Sequence, residues 1–151
     1  MGFYNDIKTK ATQLQGSLAT ELIKFRNRDL MDAILAGCAL VATADGTVSA
    51  EEKEKMLGFV RNSDALKHYD TSLVIDTFQK YIGKLEFDFA LGRAELLQEI
   101  SKVSKKMDEA RLLVRVCCAI GTSDGDFGQQ EKQVVHDICL EVGLNPTDFD
   151  L

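Results

Sequence analysis

The chain has 151 residues and a mass of 16.7 kDa, with 45% hydrophobic and 28% charged residues. That balance suits one domain over 1–151 and excludes disorder, a collagen-like repeat and two independent cores. A net charge of −6 opposes a general nucleic-acid role, because phosphate binding needs a concentrated cationic surface.

The first segment, 3–25, carries Phe3, Ile7, Ala11, Leu14, Leu18, Leu22 and Phe25 at steps of three and four. This is one apolar stripe along a helix. Residues 1–28 hold Lys8, Lys10, Lys24, Arg26 and Arg28 against Asp6 and Glu21, a net +3, and the remainder carries −9. A basic amphipathic helix of this kind suits packing on its own acidic domain, with peripheral contact to an anionic membrane as the alternative.

Asp29 offers an N-cap to a second helix with Leu30, Met31, Ile34, Leu35, Cys38 and Val41 inward. Asp45-Gly46 ends it, with Gly46 suited to the left-handed conformation. Ser49 with Glu52 reads as a capping box opening a third helix to about Asn62. Thr71 caps a fourth helix that turns Leu73, Val74, Phe78 and Ile82 inward. Asp88 opens a fifth with Leu91, Leu97, Ile100 and Val103 inward. Asp108 opens a sixth with Leu112, Leu113, Val116 and Ile120 inward. Asp124-Gly125 ends that helix, and a seventh runs from about Gln129 to Val142, stopped by Gly143. No segment alternates with a period of two. The single proline, Pro146, lies near the end, so almost nothing forbids long helices.

Residues 29–60 superpose on 108–139 at a shift of 79: Asp29 on Asp108, Cys38 on Cys117, Thr43 on Thr122, Asp45-Gly46 on Asp124-Gly125, Glu52-Lys53 on Glu131-Lys132. Two like helix–loop–helix units pack about a pseudo-two-fold axis so that each covers the other's apolar face. The expected architecture is therefore all-α: about seven helices in a compact bundle of two such halves. The small residues Ala36-Gly37-Cys38-Ala39 and Cys117-Cys118-Ala119 should let helices two and six approach closely.

Both loops place a carboxylate at one helix end and another seven residues later, in the first turn of the next helix. These are Asp45 with Glu52, and Asp124 with Asp126 and Glu131. Hard divalent cations take several oxygens from such carboxylates and from backbone carbonyls, and Ca²⁺ tolerates an irregular loop better than Mg²⁺ does. This is not an EF-hand, because Gly stands second and Glu eighth. The competing reading makes Gly46 a helix terminator and Glu52 a capping group. In the first loop capping is favoured. In the second, Asp126 replaces Thr47 and Gly128 replaces the capping Ser49, so a cation is favoured.

Cys38, Cys117, Cys118 and Cys139 include no C-x-x-C pair and sit among apolar neighbours, as small core residues do. His68 and His136 stand apart from any catalytic partner, and no glycine-rich phosphate loop occurs. The chain has no run of the ~18–20 apolar residues that a membrane span needs, and no apolar stretch before a small-residue cleavage site. A soluble cytoplasmic protein is expected.

Several segments together resemble the TerB family of tellurite resistance proteins. They are the Gly2-Phe3-Tyr4 opening, the run from Ala44 to Lys53 with Lys55-Met56 and Gly58-Phe59, Ser123 to Phe127 followed by Glu131-Lys132, and the ending with Gly143-Leu144, Asp148-Phe149 and Leu151. The resemblance implies an all-helical, pseudo-symmetric domain in the tellurite resistance and stress-response system. It implies metal binding through acidic residues, which on the matching motif positions are Asp45, Glu52, Asp124, Asp126 and Glu131. It also implies partners in TerC-like membrane proteins and TerD-like calcium-binding proteins at the cytoplasmic face of the inner membrane. Two other readings remain. One is a metal-independent interaction scaffold docking through its basic first helix. The other is an enzyme reducing tellurite with its thiols, which requires exposed, low-pKa cysteines.

Overall fold

The computed structural model describes residues 27–46, 50–62, 66, 69–122 and 127–151. Within 50–62 the side chains of Glu51, Glu52, Lys55, Met56, Phe59 and Val60 are outside that description, as is the expected first helix over 3–25. Six α-helices and one short 3₁₀ turn make up the described residues, with no strand among them. The helices are α1 (Arg28–Ala42), α2 (Ala50–Asn62), α3 (Thr71–Phe87), α4 (Phe89–Ser101), α5 (Met107–Thr122) and α6 (Gln129–Glu141), followed by the turn Pro146–Phe149. These are the second to seventh helices expected from the sequence.

The centre of the fold is α1. Every residue from Leu30 to Val41 is buried, and α1 packs against α3, α4, α5 and α6. Its sequence is apolar nearly all round, which is the composition of a helix enclosed by others. The one acid among those residues, Asp32, is held by Arg28 one turn earlier at 3.0 Å. The buried side chains of all the described helices except α2 form one cluster, which Leu66, Val103, Val142 and Leu144 complete.

Helices α1 and α5 pack at their small-residue centres, as expected. A Cβ placed on Gly37 would stand 2.7 Å from the Cys117 sulfur, so only glycine permits this approach. The side chain of Asn27, which opens α1, donates to Glu109 in the first turn of α5. Start meets start and middle meets middle, so the two helices run in the same direction and end at the same end of the bundle.

The internal repeat survives in the hydrogen bonds. Met31 N donates to Asn27 O at 3.2 Å, and Ala110 N, 79 residues on, donates to Lys106 O at 2.9 Å. The Thr43 hydroxyl donates to Ala39 O at 2.7 Å, and the Thr122 hydroxyl donates to Cys118 O at 3.0 Å. These back-bonds close both helices two residues before the Asp-Gly pairs of the sequence.

Three expected caps move. The N-cap of α1 is Asn27, accepting from Leu30 N at 2.9 Å, and Asp29 lies in the first turn, where its charge favours the helix dipole. Asp70, not Thr71, caps α3 by accepting from Leu73 N at 3.1 Å. Asp108 lies in the first turn of α5, which begins at Met107. Asp88 does cap α4, accepting from Leu91 N at 3.0 Å. Gly143 takes the left-handed conformation at φ 78° after α6.

A single residue, Asp88, joins α3 to α4 in a sharp elbow. Gly92 meets the α3 backbone there: an added Cβ would lie 2.6 Å from Lys84 O. With Gly92, Leu96 and Ile100 facing inward, Leu91 points out and is 54% exposed. This corrects the inward placement expected for Leu91. Leu96 fills that role instead, and Leu97 is half-buried.

Candidate metal loops

Helix α1 ends at Ala42 with Thr43 as its C-cap, and Gly46 follows at φ 84°. Left-handed backbone is costly for a residue with a Cβ and free for glycine, so the turn is built into the Asp45-Gly46 pair. Asp45 stands on this turn with its side chain exposed. Glu52 lies in the first turn of α2, and its side chain is outside the described residues.

At the second loop, Asp124 and Asp126 are likewise outside the described residues. The chain is described again from Phe127, whose ring packs on Gly121 of α5, where a Cβ would stand 2.8 Å from the ring. Lys132 on α6 lies 5.9 Å from the centre of the same ring. This anchors the return of the chain against the end of α5. Gly128 caps α6 with no side-chain hydrogen bond, as the exchange of Ser49 for Gly128 implies. Glu131, half-buried in the first turn, brings its Oε1 to 3.7 Å from the position a Gly128 Cβ would occupy. A carboxylate there sits at the positive end of the helix dipole.

The convergence of Asp45 with Glu52, and of Asp124 and Asp126 with Glu131, thus falls outside the described residues. Among the described residues no group of three or more His, Cys, Asp or Glu side chains is arranged to hold a metal ion. That statement covers all four cysteines.

The thiols are core residues. Cys38, Cys117 and Cys139 are buried and Cys118 is partly buried; none is in a disulfide. Burial pushes Cys38 and Cys139 up to about 12 and Cys118 up to about 11. It also holds Cys117 well above the ordinary thiol range, reinforced by the neighbouring Cys38, Cys118 and Cys139. Thiols so held are protonated at neutral pH and are poor nucleophiles. Sequence reasoning missed the buried carboxylate Glu109, with Lys106 at 3.6 Å and the Asn27 amide as partners. Its only signal was its place among the apolar positions of α5.

Among the described residues no helix is long and apolar enough to cross a membrane. No solved structure matches the chain significantly. The family model described as tellurite resistance protein TerB matches residues 31–151. The tellurium resistance protein TerB of an Alcaligenes species is 34% identical over 116 residues, which span 77% of this chain and 95% of that protein. The matched region takes in both Asp-Gly pairs of the sequence and all six described helices save the first residues of α1, and on that ground the chain belongs to the TerB family of tellurite resistance proteins.

Proposed function

We propose that this chain serves tellurite resistance and the stress response as a single-domain, non-enzymatic divalent-metal-binding module. It acts at the cytoplasmic side of the membrane with TerC-like and TerD-like proteins of the same system. One observation supports the metal reading: α1 and α5 run in the same direction, so the chain leaves both helices towards the same end of the bundle, each time into a sequence that continues with an Asp-Gly pair. The second loop is the stronger site. Its following helix has a glycine cap that offers no side chain, so its carboxylates have less capping work to do. Hard oxygen donors in an irregular loop favour Ca²⁺.

A metal-independent scaffold is the second reading, supported by Glu131 standing beside Gly128 in the first turn of α6, the place of a capping carboxylate. The buried, protonated thiols support a non-enzymatic role against thiol-based reduction of tellurite. Calorimetric titration of metal-free protein with Ca²⁺, Mg²⁺ and Zn²⁺ separates the readings. Heat of binding with Ca²⁺, stronger than with Zn²⁺, is expected; no heat with any of the three leaves the scaffold.

A further inference from the structure

Phe127 stands where the chain enters α6. Gly128 is the N-cap, with φ −70° and ψ 168°, and Lys132 N donates to Gly128 O at 2.9 Å. Phe127 is therefore the residue before the cap, Glu131 the third residue of the helix and Lys132 the fourth. An apolar contact between the residue before a cap and the fourth of the helix fixes the angle of entry, and a carboxylate at the third turns back towards the cap. Here the fourth residue is a lysine whose ammonium lies 5.9 Å from the centre of the Phe127 ring, so a cation–π contact takes the place of the apolar one. Helix α5 holds the same ring. A Cβ on Gly121 would stand 2.8 Å from ring Cε1 and 3.0 Å from Cδ1, so the ring fills a notch that only glycine leaves open.

The first half of the repeat lacks both parts of this seat. At the shift of 79, Ala42 replaces Gly121 and Val48 replaces Phe127. The matching lysine, Lys53, reaches Glu86 of α3 at 3.1 Å instead. We infer that Phe127 is a positioning residue for divalent-cation binding at the second loop: seated on Gly121 and against Lys132, it sets the entry of α6 and so the place of the Glu131 carboxylate. This rests on the metal reading above. The ring offers no donor and acts through Glu131. A hard cation takes oxygens at ~2.3–2.6 Å, so a carboxylate displaced with its helix start loses the contact. Because the seat is formed by protein groups alone, the cation need not order the start of α6 itself.

Calorimetric titration of folded, metal-free protein with Ca²⁺ tests this, together with NMR of the Glu131 side-chain carboxyl. Phe127→Ala removes the half-buried ring, leaves α5 intact and should weaken Ca²⁺ binding by at least about tenfold. Gly121→Ala fills the notch and should act alike; if it does not fold, Phe127→Ala decides. Lys132→Met keeps a partner for the ring and should bind as wild type does. At a Ca²⁺ concentration that saturates wild type, the Glu131 carboxyl resonance should move in wild type and stay in place in Phe127→Ala, which loss of packing alone would not cause. Undiminished affinity in Phe127→Ala, with its helical circular dichroism intact, overturns the inference and leaves the metal reading standing. A wild-type titration without heat is a different failure: it removes the metal reading, and this inference with it.

Discussion

Helices α1 and α5 descend from one pattern and live in different surroundings. Both open with the same backbone bond and close with a threonine bonded back into the last turn. Yet α1 is enclosed over twelve consecutive residues, whereas over the matching stretch α5 leaves Arg111 in solvent and Arg115, Cys118 and Ile120 only half-buried. In a repeat whose copies pack on each other, only one copy can lie in the middle, and that copy loses its polar face. Pseudo-symmetry here governs register and direction, not burial. The turns that follow the two helices should differ in the same way, because the elements they leave are under different constraints.

The sharpest way to break this pairing is to fill its closest approach. Gly37→Leu must displace the Cys117 sulfur, which is itself fully buried, and should cost about 3 kcal/mol. Thermal unfolding should show it as a melting point lower by about 6–12 °C. The same substitution at exposed Gly83, in mid-helix with open space around it, should not lower the melting point. Equal losses at both positions would remove the close approach from the account.

Next in size is the link between the two helix starts. Glu109 is 4% exposed and takes the Asn27 amide, so Glu109→Ala should cost about 1–3 kcal/mol. A double-mutant cycle with Asn27→Ala, read by urea unfolding, should give a coupling of at least about 0.5 kcal/mol. Strict additivity would mean that the two helix starts do not hold each other.

Much of this fold was legible because helical period and the helix-ending glycines Gly46 and Gly143 are local signals. The shift of 79 residues even foretold which backbones touch. What failed was decided by competition between near neighbours. Asn27 and Asp29 can both cap, as can Asp70 and Thr71, and tertiary contact chose between the first pair: Asn27 also reaches Glu109. Leu91 has the right spacing for the core, but Gly92 must face the α3 backbone, and that turns Leu91 outward. The acidic site was legible only as residues and turns. Side-chain convergence in a loop depends on backbone angles that no periodicity encodes.

The buried thiols make stability depend on pH only in the alkaline range. Cys38 and Cys139 at about 12 and Cys118 at about 11 lie above the ordinary thiol value near 9, so the fold holds their protons. The contribution is intact below about pH 9. It is lost as pH climbs towards 11–12, because the unfolded chain ionises first and gains stability. Urea midpoints should therefore fall between pH 9 and 11, and Cys38→Ala should flatten part of that fall. At pH 8, thiol labelling of native protein should be slow, with Cys118 reacting before the other three. Rapid labelling of Cys117 would revive the thiol-reduction reading.

The difference between the two loops is tested most directly by melting metal-free protein with and without Ca²⁺. Binding to the folded state alone adds about 2.7 kcal/mol at a hundredfold excess over Kd, a rise of about 5–10 °C for a chain of this size. Asp126→Asn should remove most of that rise while leaving metal-free stability unchanged or higher, since it takes one negative charge out of a loop sequence that carries Asp124, Asp126 and Glu131. Thr47→Asn, at the matching position of the first loop, should leave the rise in place. A calcium-induced rise that survives Asp126→Asn intact would make these carboxylates capping groups and the protein a metal-independent scaffold.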